Sequence, residues 1–158
     1  FEYLTTEVRA YSPNTPLAVD VFGEAVLKGA GEIMKKEIGQ YYGDIVDYFD
    51  VICPMVYPSH YAPGTFGAPV PAEKPYTITY KGLDHLAMYL KTNQVRAVVR
   101  PWLQYFSVPN YKSKDGKTIV YDEHMIFEER RAIADLGITG FMYWNARNVY
   151  GQGAIRPK

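Results

Sequence analysis

One cysteine, Cys53, is present among 158 residues, so no internal disulfide can staple the chain. Between Ile52 and Pro54 it reads as a small buried core residue. Neither charge sign is in excess. The 17 Lys plus Arg balance 17 Asp plus Glu, which removes the positive field that nucleic acid or an anionic membrane surface would attract. No apolar run approaches the roughly 20 residues that cross a bilayer, and the first residues do not pair a basic segment with an apolar one as a signal peptide does. Nucleotide signatures are missing as well. Gly29-Ala-Gly31 lacks the third glycine of a dinucleotide turn, and neither a phosphate-binding P-loop nor a Gly-x-Ser-x-Gly elbow is found. The histidines, His60, His85 and His124, are too dispersed for a metal set, so no metal or other cofactor is expected.

What remains is a globular composition. Apolar residues make up 47%, enough for one core, and 22% charge is too little for disorder. Tyrosine is abundant at 15 copies, more than a core needs, as is common where flat rings meet a polar ligand with apolar faces, such as a sugar. Most tyrosines serve packing, so only those at strand ends count as evidence.

Four segments each run from apolar residues into polar and aromatic ones: Leu17-Ala-Val-Asp-Val-Phe-Gly23, Val51-Ile-Cys-Pro-Met-Val-Tyr-Pro-Ser-His60, Ala97-Val-Val-Arg-Pro-Trp-Leu-Gln104 and Ile138-Thr-Gly-Phe-Met-Tyr-Trp-Asn145. Strands of this kind suit a parallel α/β barrel, whose active site lies at the carboxyl ends of its strands. The chain is expected to begin inside an element, because apolar positions 1, 4, 8 and 11 have helical spacing. Residues 24–37 read as a loop or short helix. Residues 39–49 carry Tyr41, Tyr42, Ile45, Val46 and Phe49 at 3- and 4-residue spacings and read as an amphipathic helix. Residues 58–75 hold five of the eleven prolines and read as a long irregular loop. Helices are predicted over 81–91 and 123–136, strands over 96–103 and 138–145, and a second loop over 107–121. The expected architecture is parallel α/β, either an open doubly wound sheet or half of an eight-stranded barrel, which typically needs ~250 residues.

Several residues stand out on this frame. Asp20 is an acid between Val19 and Val21 in a strand, costly to bury unless hydrogen-bonded or functional. Glu24, one step past Gly23, is the alternative acid. Tyr57, His60 and Tyr61 follow the second strand and start the proline-rich loop, where they can contact a ligand. Arg100, Trp102 and Gln104 alternate, so they share one strand face, where Arg100 needs an acid partner and Asp20 is a candidate. Trp144 and Asn145 end the last strand, the indole serving as a sugar platform or as a lid on the core.

Cys53-Pro-Met-Val-Tyr-Pro-Ser-His-Tyr61, Arg100-Pro-Trp-Leu-Gln104 and Gly140-Phe-Met-Tyr-Trp-Asn-Ala-Arg-Asn148, preceded by Val19-Asp-Val-Phe-Gly23, resemble the C-terminal half of a family of bacterial glycoside hydrolases once classed as a domain of unknown function. The resemblance spans nearly the whole chain. It implies a (β/α)8 barrel distantly similar to the α-amylase type, of which residues 1–158 form a single partial domain supplying strands five to eight. It further implies a polysaccharide or glycoside substrate, export or a cell-envelope location, and Asp20 in the position of an acid/base. Many members carry Asp after the Leu-Gln of the seventh strand, where this chain has Tyr105. Hydrolysis needs two carboxyl groups, so the second is expected outside this chain. Tyr57, His60, Tyr61, Arg100, Gln104 and Asn145 are expected to bind substrate, with Trp102 and Trp144 as stacking surfaces. Half a barrel leaves edges and a core face unpaired, so the partner is expected to be the missing N-terminal half or a second copy. The rival reading is a noncatalytic carbohydrate-binding or scaffolding domain.

Overall fold

The computed structural model describes residues 1–29 and 31–151; Ala30 and positions 152–158 of the expected 1–158 unit lie outside the described residues. Helix α1 (Glu2–Tyr11) leads into strand β1 (Ala18–Phe22), followed by a 3-10 turn (Gly23–Val26) and helix α2 (Gly31–Ile38). Strand β2 (Val51–Val56), helix α3 (Pro75–Thr92), strands β3 (Val98–Val99) and β4 (Trp102–Gln104), helix α4 (Glu123–Asp135) and strand β5 (Met142–Trp144) complete the order. All strand pairs are parallel in the order β1-β2-β4-β5, with β3 also on β2. The α/β class expected from the sequence is therefore present, with helices between parallel strands.

Four expected elements differ, the first being the strand expected over 138–145, which is confined to Met142–Trp144. Residues 39–49 form no amphipathic helix. Gly39 at φ +69° ends the preceding helix, and a 3-10 turn at Tyr42–Asp44 takes over. The spacing still marked the packing residues, since Tyr42, Ile45 and Val46 are buried. The strand expected over 96–103 is interrupted before Pro101, which has no N–H to donate, and both pieces pair with β2. Helix α3 starts six residues earlier than the spacing predicts, at Pro75, a residue suited to the first helical turn because its φ is already helical and its missing N–H is not needed there.

Alternation along the strands sorts the side chains. Val21, Ile52, Val56 and Leu103 turn to one face and pack with Ile78, Leu83, Leu86 and Leu90 of α3 and Ile133 of α4, every one of them buried. The opposite face carries Asp20, Phe22, Cys53, Met55, Trp102, Gln104, Met142 and Trp144, brought side by side by the register Asp20↔Cys53, Phe22↔Met55, Met55↔Trp102, Trp102↔Met142 and Gln104↔Trp144. That face is open enough to leave Phe22 49% and Trp144 45% exposed.

Candidate functional site

The open face becomes polar and aromatic towards the carboxyl ends of the strands. Asp20 on β1 accepts a hydrogen bond from Trp102 Nε1 on β4 at 2.8 Å. The Trp102 and Trp144 rings meet edge to face, their centroids 5.9 Å apart at 87°. Asp20 thus lies at one side of a paired indole surface. Arg100 does not pair with it as expected. Its guanidinium instead lies over Gly140, where an added Cβ would come within 2.9 Å of Nε, so this glycine leaves the arginine its space. Both charges still reach Cys53, whose thiol is pushed up to about 11 by burial and then by Asp20, with Arg100 pulling the other way. Such a thiol is protonated and unreactive at neutral pH.

Beyond β2, Tyr57 and His60 meet at 5.4 Å and 86°, and Phe106 stands 5.6 Å from Tyr57 and 5.4 Å from His60. The three rings form an aromatic wall with His60 exposed and Tyr57 buried. Burial, reinforced by Asp20 and Glu129, raises the Tyr57 hydroxyl well above its usual value, so it remains a neutral hydrogen-bonding group.

Three expected ligand contacts are corrected. Tyr61 is 5% exposed and sits in the apolar core, its ring beside Phe66 and its hydroxyl beside Gly23 and Gly82. Gln104 is fully buried and has both ends of its amide committed: Oε1 accepts from Ser59 N at 3.0 Å and Ser59 Oγ at 2.9 Å, and Nε2 donates to the Phe106 carbonyl at 2.8 Å. Asn145 is 6% exposed and builds the turn after β5, donating to the Val149 carbonyl at 2.8 Å and accepting from Arg147 N at 3.0 Å. A ligand meets none of these three amide or phenol groups without displacing protein. Asp20, His60, Trp102 and Trp144 are the expected residues that the fold leaves on the open side, with buried Tyr57 packed against His60, and exposed Arg100 joins them near Cys53.

Other participants escaped the sequence reading. Phe106 and Ser59 lie in segments without periodicity, so nothing local marked them. Tyr105, already marked in the sequence by the absent carboxyl, packs against Tyr143 and Tyr150, and its hydroxyl accepts from Gly151 N at 2.6 Å. Glu129 did leave a trace. It falls on the α4 stripe of Ile126 and Ile133, where an acid interrupts an apolar series, and it is completely buried. Burial lifts its carboxyl well above the ordinary 4.5, outweighing the opposite pull of Tyr121 and the Gln104 backbone. Among the described residues no cluster of three His, Cys, Asp or Glu side chains is placed to hold a metal ion. A groove of about 790 Å³ lies at the other end of the sheet, lined by residues that precede the strands such as Pro16, Asp50 and Arg96. In parallel α/β folds that end serves stability.

A family model described as "Putative glycosyl hydrolase domain" matches residues 2–150. No curated protein matches the chain. Among solved structures, the glycoside hydrolase domain of PgaB (BpsB) from Bordetella bronchiseptica is similar with a TM-score of 0.54 at 16% identity over 91% of this chain. The chain spans 35% of the length of that structure. At this identity the likeness is one of fold.

Proposed function

This chain belongs to the family described as "Putative glycosyl hydrolase domain", and from that premise we propose that it is strands five to eight of a (β/α)8 barrel that hydrolyses a polysaccharide or glycoside. The observation that carries the reading is the Trp102–Asp20 hydrogen bond beside Trp144, an exposed acid held by a half-buried indole next to an exposed one. Indole faces stack on the apolar faces of sugar rings, and a positioned carboxyl delivers the proton that a glycosidic oxygen needs in order to leave.

Hydrolysis takes two carboxyl groups about 5 to 9.5 Å apart, one as acid and the other as nucleophile or base. Asp20 is the one acid among the strand residues of the open face, so the reading places its partner on an earlier strand, the fourth of the full barrel. The free edge of β1 supports a further strand paired there, and the α1 residues Tyr3, Leu4 and Tyr11, 79%, 61% and 94% exposed, leave apolar surface for a further layer to cover. That layer is the N-terminal half-barrel or, failing it, a second copy of the chain. The test is Asp20→Asn in the complete polypeptide. The expected result is loss of turnover with sugar binding retained; unchanged turnover overturns the assignment. The 158-residue chain by itself is expected to release no reducing sugar.

A second reading, a noncatalytic carbohydrate-binding domain, draws on Tyr105. It follows Gln104 at a position without a carboxyl group, and its hydroxyl is taken up by Gly151. Sugar binding that survives Asp20→Asn in a wild type without turnover favours this reading.

A further inference from the structure

Strands β2 and β4 pair through Met55–Trp102 and Val56–Leu103 and then part. Where that pairing ends, the Gln104 N–H donates to Glu129 Oε2 of α4 at 3.1 Å. Gln104 passes the connection on. Its side chain takes the Ser59 N–H and hydroxyl at 3.0 and 2.9 Å and donates to the Phe106 carbonyl at 2.8 Å. Glu129 and Gln104 are both fully buried, and Ser59 is 9% exposed.

These bonds sort into a line with one purpose. A helix carboxyl holds a strand backbone, the side chain of that strand residue holds two loops, and each loop carries part of the aromatic wall. Ser59 lies between Tyr57 and His60, and the bonded carbonyl belongs to Phe106 itself. A buried carboxyl without a cationic partner costs free energy that an apolar residue would not, so its place here needs a reason beyond packing. Tyr121, whose buried hydroxyl approaches Glu129 without closing an aligned hydrogen bond, is its other polar neighbour.

We infer that Glu129 is a positioning residue, which through Gln104 fixes Tyr57, His60 and Phe106 as one rigid surface for a sugar ring. The sugar in this statement rests on the hydrolase reading above; the positioning does not. An acid that binds as a neutral acceptor is replaceable by an amide of equal length, and an apolar side chain of equal length cannot substitute.

Amide hydrogen exchange of the complete polypeptide, without any glycan, tests this. In the wild type the Ser59 amide is expected to exchange as slowly as the amides of β4. Glu129→Met is expected to speed exchange over residues 57–61 and 104–106 at least about tenfold while residues 83–90 of α3 stay unchanged, and Glu129→Gln to restore slow exchange. Exchange of Ser59 at a free-loop rate in the wild type overturns the inference, and this arm does not require any variant to fold. Unchanged exchange at 57–61 in Glu129→Met overturns it too, as does acceleration spread equally over α3, which is the mark of a merely structural residue. Absence of glycan turnover counts against the hydrolase reading and leaves the outcome of this experiment intact.

Discussion

Trp102 Nε1 donates to Asp20 Oδ1 at 2.8 Å, a bond that reaches from β4 to β1 across the full width of β2. The indole aims the carboxyl and at the same time presents its own face beside Trp144. Trp102→Phe keeps an aromatic ring but removes the donor. A side-chain hydrogen bond of this kind is worth about 1 to 1.5 kcal/mol, so on the proposed hydrolase reading kcat/KM of the complete polypeptide is expected to fall roughly tenfold. Steady-state kinetics on a reducing-sugar assay check this, and undiminished kcat/KM counts against an oriented Asp20.

Gln104→Leu conserves volume and leaves the buried Ser59 N–H and the partly buried Phe106 carbonyl without their partners. Each unpaired buried group costs about 1 to 3 kcal/mol, so a destabilisation of roughly 2 to 6 kcal/mol is expected in urea unfolding. A loss below about 0.5 kcal/mol would mean that water replaces the amide.

Tyr61→Phe removes a buried hydroxyl that has no partner. The change is expected to be neutral or to stabilise by about 1 kcal/mol, with sugar binding unaffected, because the ring belongs to the core. A Cβ at Gly82 would lie 3.3 Å from that hydroxyl. Gly82→Ala is therefore expected to cost less in a Tyr61→Phe background than in the wild type, a coupling that a double-mutant cycle in thermal melts measures directly.

Glu129 ties stability to pH. Its carboxyl is raised by burial, so the folded state keeps a proton that the unfolded chain gives up near 4.5. The stabilisation is complete below that value and is lost as pH rises towards the folded-state pKa, with a limiting slope of about 1.4 kcal/mol per pH unit. Glu129→Gln does not titrate. Its stability relative to wild type is expected to increase as pH rises above about 5, and parallel melting curves through neutral pH would refute a buried neutral acid.

Much of the frame was legible in the sequence because strand and helix periodicity are local. The positions of α1, β1, β2, α4 and the parallel α/β class follow from apolar spacing and from the glycines and prolines that end it. Residues 39–49 misled for an instructive reason. Apolar residues at 3- and 4-residue intervals meet the same core from a 3-10 turn as from a helix, and Gly39 with its positive φ decided between them. Asp20, Trp102 and Trp144 could be placed on the open face from the sequence because strand alternation assigns it, whereas Tyr57 and His60 follow β2 in an irregular segment. Gln104 was assigned the right face and the wrong task.

The sequence by itself determined which side chains could line the carboxyl end of the sheet, since period-two alternation depends only on neighbours in the chain. Tertiary structure decided which of them remain available to a ligand. Availability depends on whether a polar atom has already found a partner, and these partners lie far along the chain: 82 residues for Trp102 and Asp20, 45 for Gln104 and Ser59, 25 for Glu129 and Gln104. Periodicity carries no information over such separations. A buried amide or acid must nevertheless satisfy its hydrogen bonds somewhere, and only the folded chain shows where.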